Sequence, residues 1–260
     1  MEIGPLTHGH AVKFPQAKNG VLPSLPCRLL ALSPGSGGKT TTLITMITDP
    51  RFYRGRFSKI VWCSPSATVD PALDVLREYV RAELKQDQDE EPTFHDFINV
   101  PFLEAMVAKA RKVTEFLKAR KSKQSGFNIL IVLDDVADCK TNLAAVTKFV
   151  DACFVKFRHW GVSTWLSTQK LKLPLITPCV RVNCTAIIAF RLRNQTCLWD
   201  GLIHELSALV SKQQLYDMYQ SAVAKPFNFL FINLLAKDVN HMFYSGYSER
   251  FVVDPDEERK

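Results

Sequence analysis

The glycine-rich segment SPGSGGKT, at residues 33–40, lies between two apolar runs and constrains the fold more than any other feature of the chain. The run before it, CRLLALS, is typical of a short buried strand, and TTLITMI after it is typical of a helix. A strand, a glycine-rich loop and a helix in this order form a phosphate-binding loop, or P-loop. We therefore predict that a nucleotide contacts Pro34, Gly35, Ser36, Gly37, Gly38, Lys39, Thr40 and Thr41.

This loop supplies the groups that a bound nucleotide needs. Glycines allow backbone N–H groups to turn toward the β-phosphate, and the helix N-terminus adds its dipole. Lys39 is predicted to act catalytically by reaching the β- and γ-phosphate oxygens, and Thr40 to offer its hydroxyl to Mg²⁺. The usual GxxxxGK(S/T) pattern has glycine at the position of Ser33. A turn that binds nothing, and a loop that binds nucleotide but hydrolyses it slowly, are the alternatives.

Two acids end a second apolar run, NILIVLDD at residues 128–135, which is typical of a central parallel strand covered on both faces. Asp134 is predicted as a metal ligand that holds the hydration shell of Mg²⁺. Asp135 is predicted as a catalytic residue that orients or deprotonates the attacking water. Many ATPases have the longer glutamate at this position. Two acids in a solvated loop are the alternative interpretation.

Three further polar residues flank later strands. Gln169 follows the strand-like VSTWLST, and parallel strands end at one edge of a sheet, so we expect its amide to face the γ-phosphate. Arg158 precedes the same strand and belongs to the opposite edge, where it could reach the nucleotide of a neighbouring subunit as an arginine finger. Arg181, before the next strand, is a second candidate. A structural or DNA-contacting role is the alternative for either arginine.

Strand-like and helix-like segments alternate along most of the chain. Strands are predicted at residues 27–33, 59–64, 128–135, 162–168, 185–190 and 227–232. Helices are predicted after Thr40, from Pro71, and along residues 103–117, 143–157 and 199–223. This alternation favours an α/β fold of the P-loop NTPase type, with a mainly parallel central β-sheet flanked by helices on both faces.

Composition excludes several classes of protein. The chain has 33 Lys and Arg against 26 Asp and Glu, a surplus that suits a polyanionic partner or merely a basic surface. Its seven cysteines are scattered, without a CxxC pair, which argues against a disulfide framework and a zinc knuckle. No stretch approaches the roughly 20 apolar residues of a membrane span, and the N-terminus lacks a signal-peptide core. We expect an intracellular, soluble protein with no membrane span.

With these residues in place, the chain resembles the poxvirus-type DNA-packaging ATPases of large DNA viruses and related mobile elements, a branch of the FtsK-HerA superfamily. The resemblance runs from about residue 25 to 247 and has five parts. They are the P-loop, LIVLDDV, FRHWGVSTWLSTQ, RVNCTAIIAFRLRN, and FNFLFINL with the later FYSGY. The resemblance implies a RecA/FtsK-HerA-like fold. Residues 1–24 contain Gly, Pro and His with little apolar periodicity and are predicted to form an N-terminal arm. The chain is too short for two full-sized domains, so we expect a single P-loop ATPase domain (25–250) and a charged C-terminal tail (251–260).

The same resemblance implies a function. Members form ring-shaped homo-oligomers that couple ATP hydrolysis to the pumping of double-stranded DNA into a capsid, with the finger arginine acting across the subunit boundary. Accordingly, ATP and Mg²⁺ are the expected cofactors, and double-stranded DNA and a capsid or portal protein are the expected partners. The host cytoplasm, a viral factory or the virion is the expected location.

Two other functions remain open on the sequence. A P-loop kinase would need an arginine-rich lid and a pocket for the phosphate acceptor, and no clear lid is apparent in the sequence. A nucleotide-binding assembly or scaffold factor would bind ATP and a capsid partner with little hydrolysis. DNA-stimulated turnover distinguishes a motor from a scaffold factor.

Overall fold

A single mixed β-sheet forms the centre of the computed structural model, which describes residues 12–17, 19–135, 142–169, 171, 175–194 and 196–253. Within these ranges the sheet has nine strands, in the order β3-β2-β4-β5-β1-β6-β7-β8-β9. The strands are β1 (Arg28–Leu32), β2 (Lys59–Cys63), β3 (Phe94–His95), β4 (Ile129–Asp134), β5 (Val162–Thr168), β6 (Ala186–Phe190), β7 (Phe229–Asn233), β8 (Phe243–Ser245) and β9 (Glu249–Arg250).

Strands β3, β2, β4, β5, β1 and β6 are parallel, whereas β7, β8 and β9 continue the sheet in antiparallel fashion. The predicted α/β fold with a mainly parallel sheet is therefore confirmed. In this arrangement β1 lies between β5 and β6, and β4 lies beside β5. The segments that follow β1, β4 and β5 consequently meet at one edge of the sheet.

Helices cover both faces of the sheet. They are α1 (Lys39–Thr48), α2 (Asp74–Tyr79), α3 (Val100–Ala119), α4 (Leu143–Val155), α5 (Pro178–Asn183), α6 (His204–Leu206) and α7 (Lys212–Ala222). Polar caps fix several starts: the side chains of Asn99, Thr177 and Ser211 accept backbone N–H groups in the first turns of α3, α5 and α7. Such caps each stabilise a helix by about 1 kcal/mol.

The sheet separates two hydrophobic cores. Because side chains alternate along a strand, Leu30 and Leu32 of β1 pack into the core with α3 and α4, whereas Leu29 and Ala31 pack into the core with α1 and α2. All five residues of β1 are buried. Burial of each large apolar side chain contributes roughly 1.5–3 kcal/mol, and this fixes the strand that leads into the P-loop.

Several boundaries differ from the sequence prediction. The last predicted strand begins at Phe229 rather than at residue 227, because Phe227 adopts a positive φ of 61° that a strand does not allow. The region predicted as helical at residues 199–223 is broken: a wide helical turn, Cys197–Ile203, and α6 precede α7. Strands β3, β8 and β9, of two or three residues, were not predicted because they are too short for a period-two pattern.

The N-terminal segment lies against the start of the parallel strands. The Gln16 side chain donates to Leu25 O (2.8 Å) and accepts from Leu25 N (2.6 Å). Gly126 N donates to Lys13 O (2.6 Å). The proposed limits of the arm and of the C-terminal tail stay predictions, and residues 1–11 and 254–260 lie outside the described ranges.

Among the helices of the described ranges, none has the length and apolarity needed to cross a membrane.

Candidate functional site

The P-loop connects β1 to α1 and positions the first turn of that helix. Gly38 precedes α1 with a φ of 96° and Ser36 has a φ of 59°, so both lie in the left-handed region. In α1 no side chain caps the first turn and no acidic residue occupies it. The N–H groups and the positive end of the helix dipole therefore remain available to an anion.

Ser33, the departure from the usual pattern, fits the loop through contacts of its own. Its N–H donates to Thr168 O (3.1 Å) and its hydroxyl donates to Pro34 O (2.9 Å), with the residue fully buried. A Cβ atom at Gly37 would lie 2.0 Å from Ser33 Oγ. The hydroxyl therefore occupies the space beside Gly37, and the loop keeps its turn because residue 37 has no side chain.

Lys39 and Asp135 form an ion pair at the head of the loop. Lys39 Nζ lies 2.5 Å from Asp135 Oδ2, although the two residues are 96 positions apart. The Lys39 side chain is nearly buried, whereas that of Asp135 is 39% exposed. Asp135 has a φ of 52°, and such strain in a residue other than glycine costs about 1–3 kcal/mol and is concentrated at functional sites. A bound phosphate would compete with Asp135 for the lysine.

Asp134 and Thr40 form the second pair. Thr40 Oγ1 donates to Asp134 Oδ2 (3.0 Å), and Asp134 is buried with 4% of its surface exposed. Its other oxygen, Oδ1, is buried without a hydrogen-bond partner. Burial raises the pKa of the Asp134 carboxyl, and the Lys39 ammonium opposes this effect. A cation beside Oδ1 would satisfy that oxygen and favour the ionised carboxylate.

This arrangement fits Mg²⁺. The ion is usually bound by one or two protein oxygens, while water and substrate phosphates complete its octahedral shell. Thr40 and Asp134 supply such oxygens, and Oδ1 of Asp134 lacks a partner. Within the described ranges no cluster of three His, Cys, Asp or Glu side chains forms a metal cage. The two residues could hold Mg²⁺ together with a nucleotide.

An open cleft of about 660 Å³ surrounds these pairs. This volume lies within the roughly 300–1,000 Å³ of small-molecule sites. Its lining consists of Ser36, Gly37, Gly38, Lys39, Thr40, Thr41, Thr42, Ser64, Ser66, Asp70, Ala72, Asp134, Asp135 and Phe227. The predicted contacts at residues 36–41 thus line the cleft, whereas Pro34 and Gly35 lie outside its lining. The structure brings the predicted phosphate and metal ligands together in one place.

Six of these lining residues were not among the predicted site residues: Thr42, Ser64, Ser66, Asp70, Ala72 and Phe227. Asp70 carried a local signal, since an aspartate before a proline often caps a helical turn, and its side chain accepts the N–H of Ala72 (2.9 Å). Ser64 and Ser66 follow β2, at the same edge as the P-loop. Nothing local to Phe227 places it beside Gly38.

The other predicted residues, Gln169, Arg158 and Arg181, do not line this cleft. Gln169 directly follows β5 and is exposed at the same edge, outside the lining of the cleft. Arg158 lies in the short helical turn Phe157–Trp160 before β5, and Arg181 lies in α5 before β6. Seven residues of β5 separate Arg158 from Gln169, which at 3.3 Å per residue is roughly 20 Å. Arg158 therefore lies at the opposite edge of the sheet from the cleft.

Comparison with known proteins gives likenesses of fold. No protein-family model matches the sequence, and no curated protein matches it significantly. Among solved structures, the chain is similar to the conjugation coupling protein TcpA of pCW3, in its monomer form with ATPγS, with a TM-score of 0.54 and 16% sequence identity. The match covers 90% of this chain and 63% of TcpA, so this chain spans less than two thirds of that protein.

Two more distant structural neighbours have TM-scores of 0.48. One is the genome packaging NTPase B204 from Sulfolobus turreted icosahedral virus 2 with ATPγS, at 18% identity over 80% of this chain and 93% of that chain. The other is the cytoplasmic domain of the Thermomonospora curvata type VII secretion ATPase EccC, at 12% identity over 81% and 24%. The likeness to TcpA, at 16% identity, agrees with the predicted α/β fold with a mainly parallel sheet.

Proposed function

We propose that the chain is an ATPase whose site consists of Lys39, Thr40, Asp134 and Asp135. One observation supports this most strongly: the lysine and threonine of the P-loop each contact one acid at the end of β4, across about 95 positions of sequence. A glycine-rich turn that binds nothing would not require this convergence. The fold likeness to TcpA, which was solved with ATPγS, adds support.

In this proposal each residue has a defined role in the reaction of ATP with water to give ADP and phosphate. Lys39 leaves Asp135 and binds the β- and γ-phosphate oxygens. Asp135, released from the lysine, accepts a hydrogen bond from the attacking water and orients it. Thr40 and Asp134 would hold Mg²⁺, which would neutralise charge on the triphosphate. Gln169 is proposed to position the water or the γ-phosphate from the end of β5.

We further propose that hydrolysis drives translocation of double-stranded DNA into a capsid, by a ring-shaped homo-oligomer that meets a capsid or portal protein. The resemblance of FRHWGVSTWLSTQ and RVNCTAIIAFRLRN to packaging ATPases supports this. The net charge of +7 suits a polyanionic track. Such a motor would act in the host cytoplasm, a viral factory or the virion.

Steady-state ATP hydrolysis tests this function directly. Purified protein is assayed with and without duplex DNA over a range of protein concentrations, beside the variants Lys39→Ala, Asp135→Asn and Arg158→Ala. We expect specific activity to rise with DNA and with protein concentration and to be lost in all three variants. Nucleotide binding without DNA-stimulated turnover would contradict a motor and would favour the scaffold factor.

Arg158 is the arginine that we propose as the finger in trans. It is exposed and, within the described ranges, has no ion-pair partner. Arg181 instead pairs with Glu205 and donates to Ile176 O (3.3 Å). The charge of Arg158 is close to other cations: burial and Arg158 lower the pKa of Arg28 and of His159. Because Arg28 is buried, the exposed Arg158 carries the positive charge that would suit the phosphates of a neighbouring subunit's nucleotide.

Mixing two inactive variants tests the finger. The Lys39→Ala subunit keeps Arg158, and the Arg158→Ala subunit keeps an intact P-loop. A mixed ring therefore contains some interfaces in which an intact P-loop faces an intact Arg158. In an equimolar random ring about a quarter of the head-to-tail interfaces are complete, so activity should return to about a quarter of the wild-type value. The matched control mixes Lys39→Ala with Asp135→Asn, whose defects lie in the same subunit's site, and should stay inactive. Co-assembled rings that remain inactive in the first mixture would rule out Arg158.

A further inference from the structure

Phe227 is an exposed aromatic residue in a strained position. It lies in the turn between α7 and β7, where Asn228 N donates to Lys225 O (3.3 Å). Its surface is 71% exposed and its φ is 61°. A positive φ in a bulky residue is uncommon, and exposure of the ring forgoes the gain from burial. Neither the fold nor the hydrophobic core accounts for this side chain.

The ring lies beside the P-loop. A Cβ atom built on Gly38 would be 3.3 Å from Cδ1 of Phe227, so the ring is adjacent to the start of α1. Phe227 lines the cleft that also contains Lys39 and Thr40. It lines, in addition, a neighbouring groove formed with Lys225, Pro226, Asn228, Ser245 and Gly246. The ring therefore borders both the proposed phosphate site and an open groove next to it.

We infer that Phe227 stacks against the base of the nucleotide whose phosphates occupy the P-loop. This inference rests on the proposed nucleotide site and assigns the base position within it. A triphosphate held at Lys39 and Thr40 leaves the sugar and base to extend along the wall of the cleft. Phe227 offers a π-face there, and stacking of a base on an aromatic side chain is sequence-tolerant because every base has a π-face.

The chemistry of the ring also limits what it recognises. Phenylalanine has no hydrogen-bonding group, so stacking holds a purine without reading its edge. The Nδ2 group of the nearby Asn228 donates one hydrogen bond, to Ser245 Oγ (3.0 Å). The ring should therefore contribute about equally to binding of ATP and of GTP, and nothing to binding of an inorganic phosphate chain.

Because the backbone at Phe227 is strained, a substitution at this position can weaken nucleotide binding without lowering the stability of the fold. Glycine adopts a φ near 60° without cost, so Phe227→Gly removes the ring and relieves the backbone. We expect its melting temperature to equal or exceed that of the wild type. A loss of nucleotide binding in this variant would then not result from unfolding. Phe97→Ala, which truncates a 59% exposed phenylalanine outside the lining of the cleft, is the matched control.

Calorimetric titration with ATP, GTP and inorganic tripolyphosphate, each with Mg²⁺, tests the inference. Phe227→Gly should weaken ATP and GTP roughly 10- to 100-fold and leave tripolyphosphate within about twofold, and Phe227→Trp should retain the wild-type affinities. An equal loss of affinity for tripolyphosphate would overturn the inference, because Phe227 would then support the conformation of the P-loop rather than contact the base. Unchanged ATP affinity in Phe227→Gly would overturn the stacking inference and leave the proposed function intact. A wild type that binds no nucleotide would overturn both.

Discussion

Replacing Lys39 with alanine should reduce kcat/KM for ATP by at least about 100- to 1,000-fold, as expected for a charged group that stabilises the transition state. The ammonium is nearly buried at the head of the cleft and has an acidic partner at 2.5 Å. Its loss removes the positive charge that would face the γ-phosphate. It also leaves the Asp135 carboxylate unpaired, where it would repel the triphosphate. Steady-state hydrolysis and equilibrium binding measure the two consequences separately.

The repulsion between an unpaired Asp135 carboxylate and the triphosphate can be tested by comparing ATP affinity in a single and a double variant. The double variant Lys39→Ala with Asp135→Asn lacks the unpaired charge and should bind ATP more tightly than Lys39→Ala alone, although neither hydrolyses it. Residues in direct contact commonly couple by about 0.5–3 kcal/mol, which this cycle would detect. Lys148→Ala, at an exposed position of α4, is the control and should retain full activity. Additive effects of the two substitutions would show that Lys39 and Asp135 do not interact.

Asp134→Asn should have two opposite effects, a loss of hydrolysis of at least about 100-fold and a gain in thermal stability. The activity falls because the amide cannot replace a carboxylate as a Mg²⁺ ligand. The stability rises because the carboxylate is buried, and its Oδ1 has no hydrogen-bond partner. Each kcal/mol recovered would raise Tm by roughly 2–4 °C in a chain of this size.

The contribution of Asp134 to stability depends on pH, and the direction of its pKa shift gives the sign of that dependence. Burial raises the pKa of Asp134 in the folded protein above its value in the unfolded chain. The folded state therefore binds this proton more tightly, and stability falls as pH rises from the unfolded-state pKa, about 3.9, through the raised folded-state pKa. The stability difference between Asp134→Asn and wild type should widen across that window and then stay constant.

Thermal unfolding with and without Mg²⁺ and ATP measures both effects. The ligands should raise the Tm of the wild type more than that of Asp134→Asn, because binding stabilises only the chain that holds the metal. Asp217→Asn, at an exposed position of α7, controls for the loss of one negative charge. A wild type and an Asp134→Asn variant of equal stability at neutral pH would argue against the proposed burial penalty.

Much of the fold could be predicted because its signals are local. The buried strands β1, β2, β4, β5 and β6 appear in the sequence as apolar runs, and the P-loop is a contiguous motif between a strand and a helix. Asp134 and Asp135 were recognisable because they end such a run. The roles proposed for Gln169, Arg158 and Arg181 remain predictions. These depend on a γ-phosphate or on a second subunit.

Most of the longer strands and helices, their alternation and the residue types of the proposed nucleotide site were thus readable from the sequence, since backbone propensity and burial pattern act over a few neighbouring residues. Which of these residues come into contact depends on the packing of the whole chain. The ion pair of Lys39 with Asp135 joins positions 96 apart, and the pair of Arg181 with Glu205 joins two separate helices. The antiparallel strands β8 and β9, and the position of Phe227 beside Gly38, likewise depend on long-range packing that no local pattern encodes.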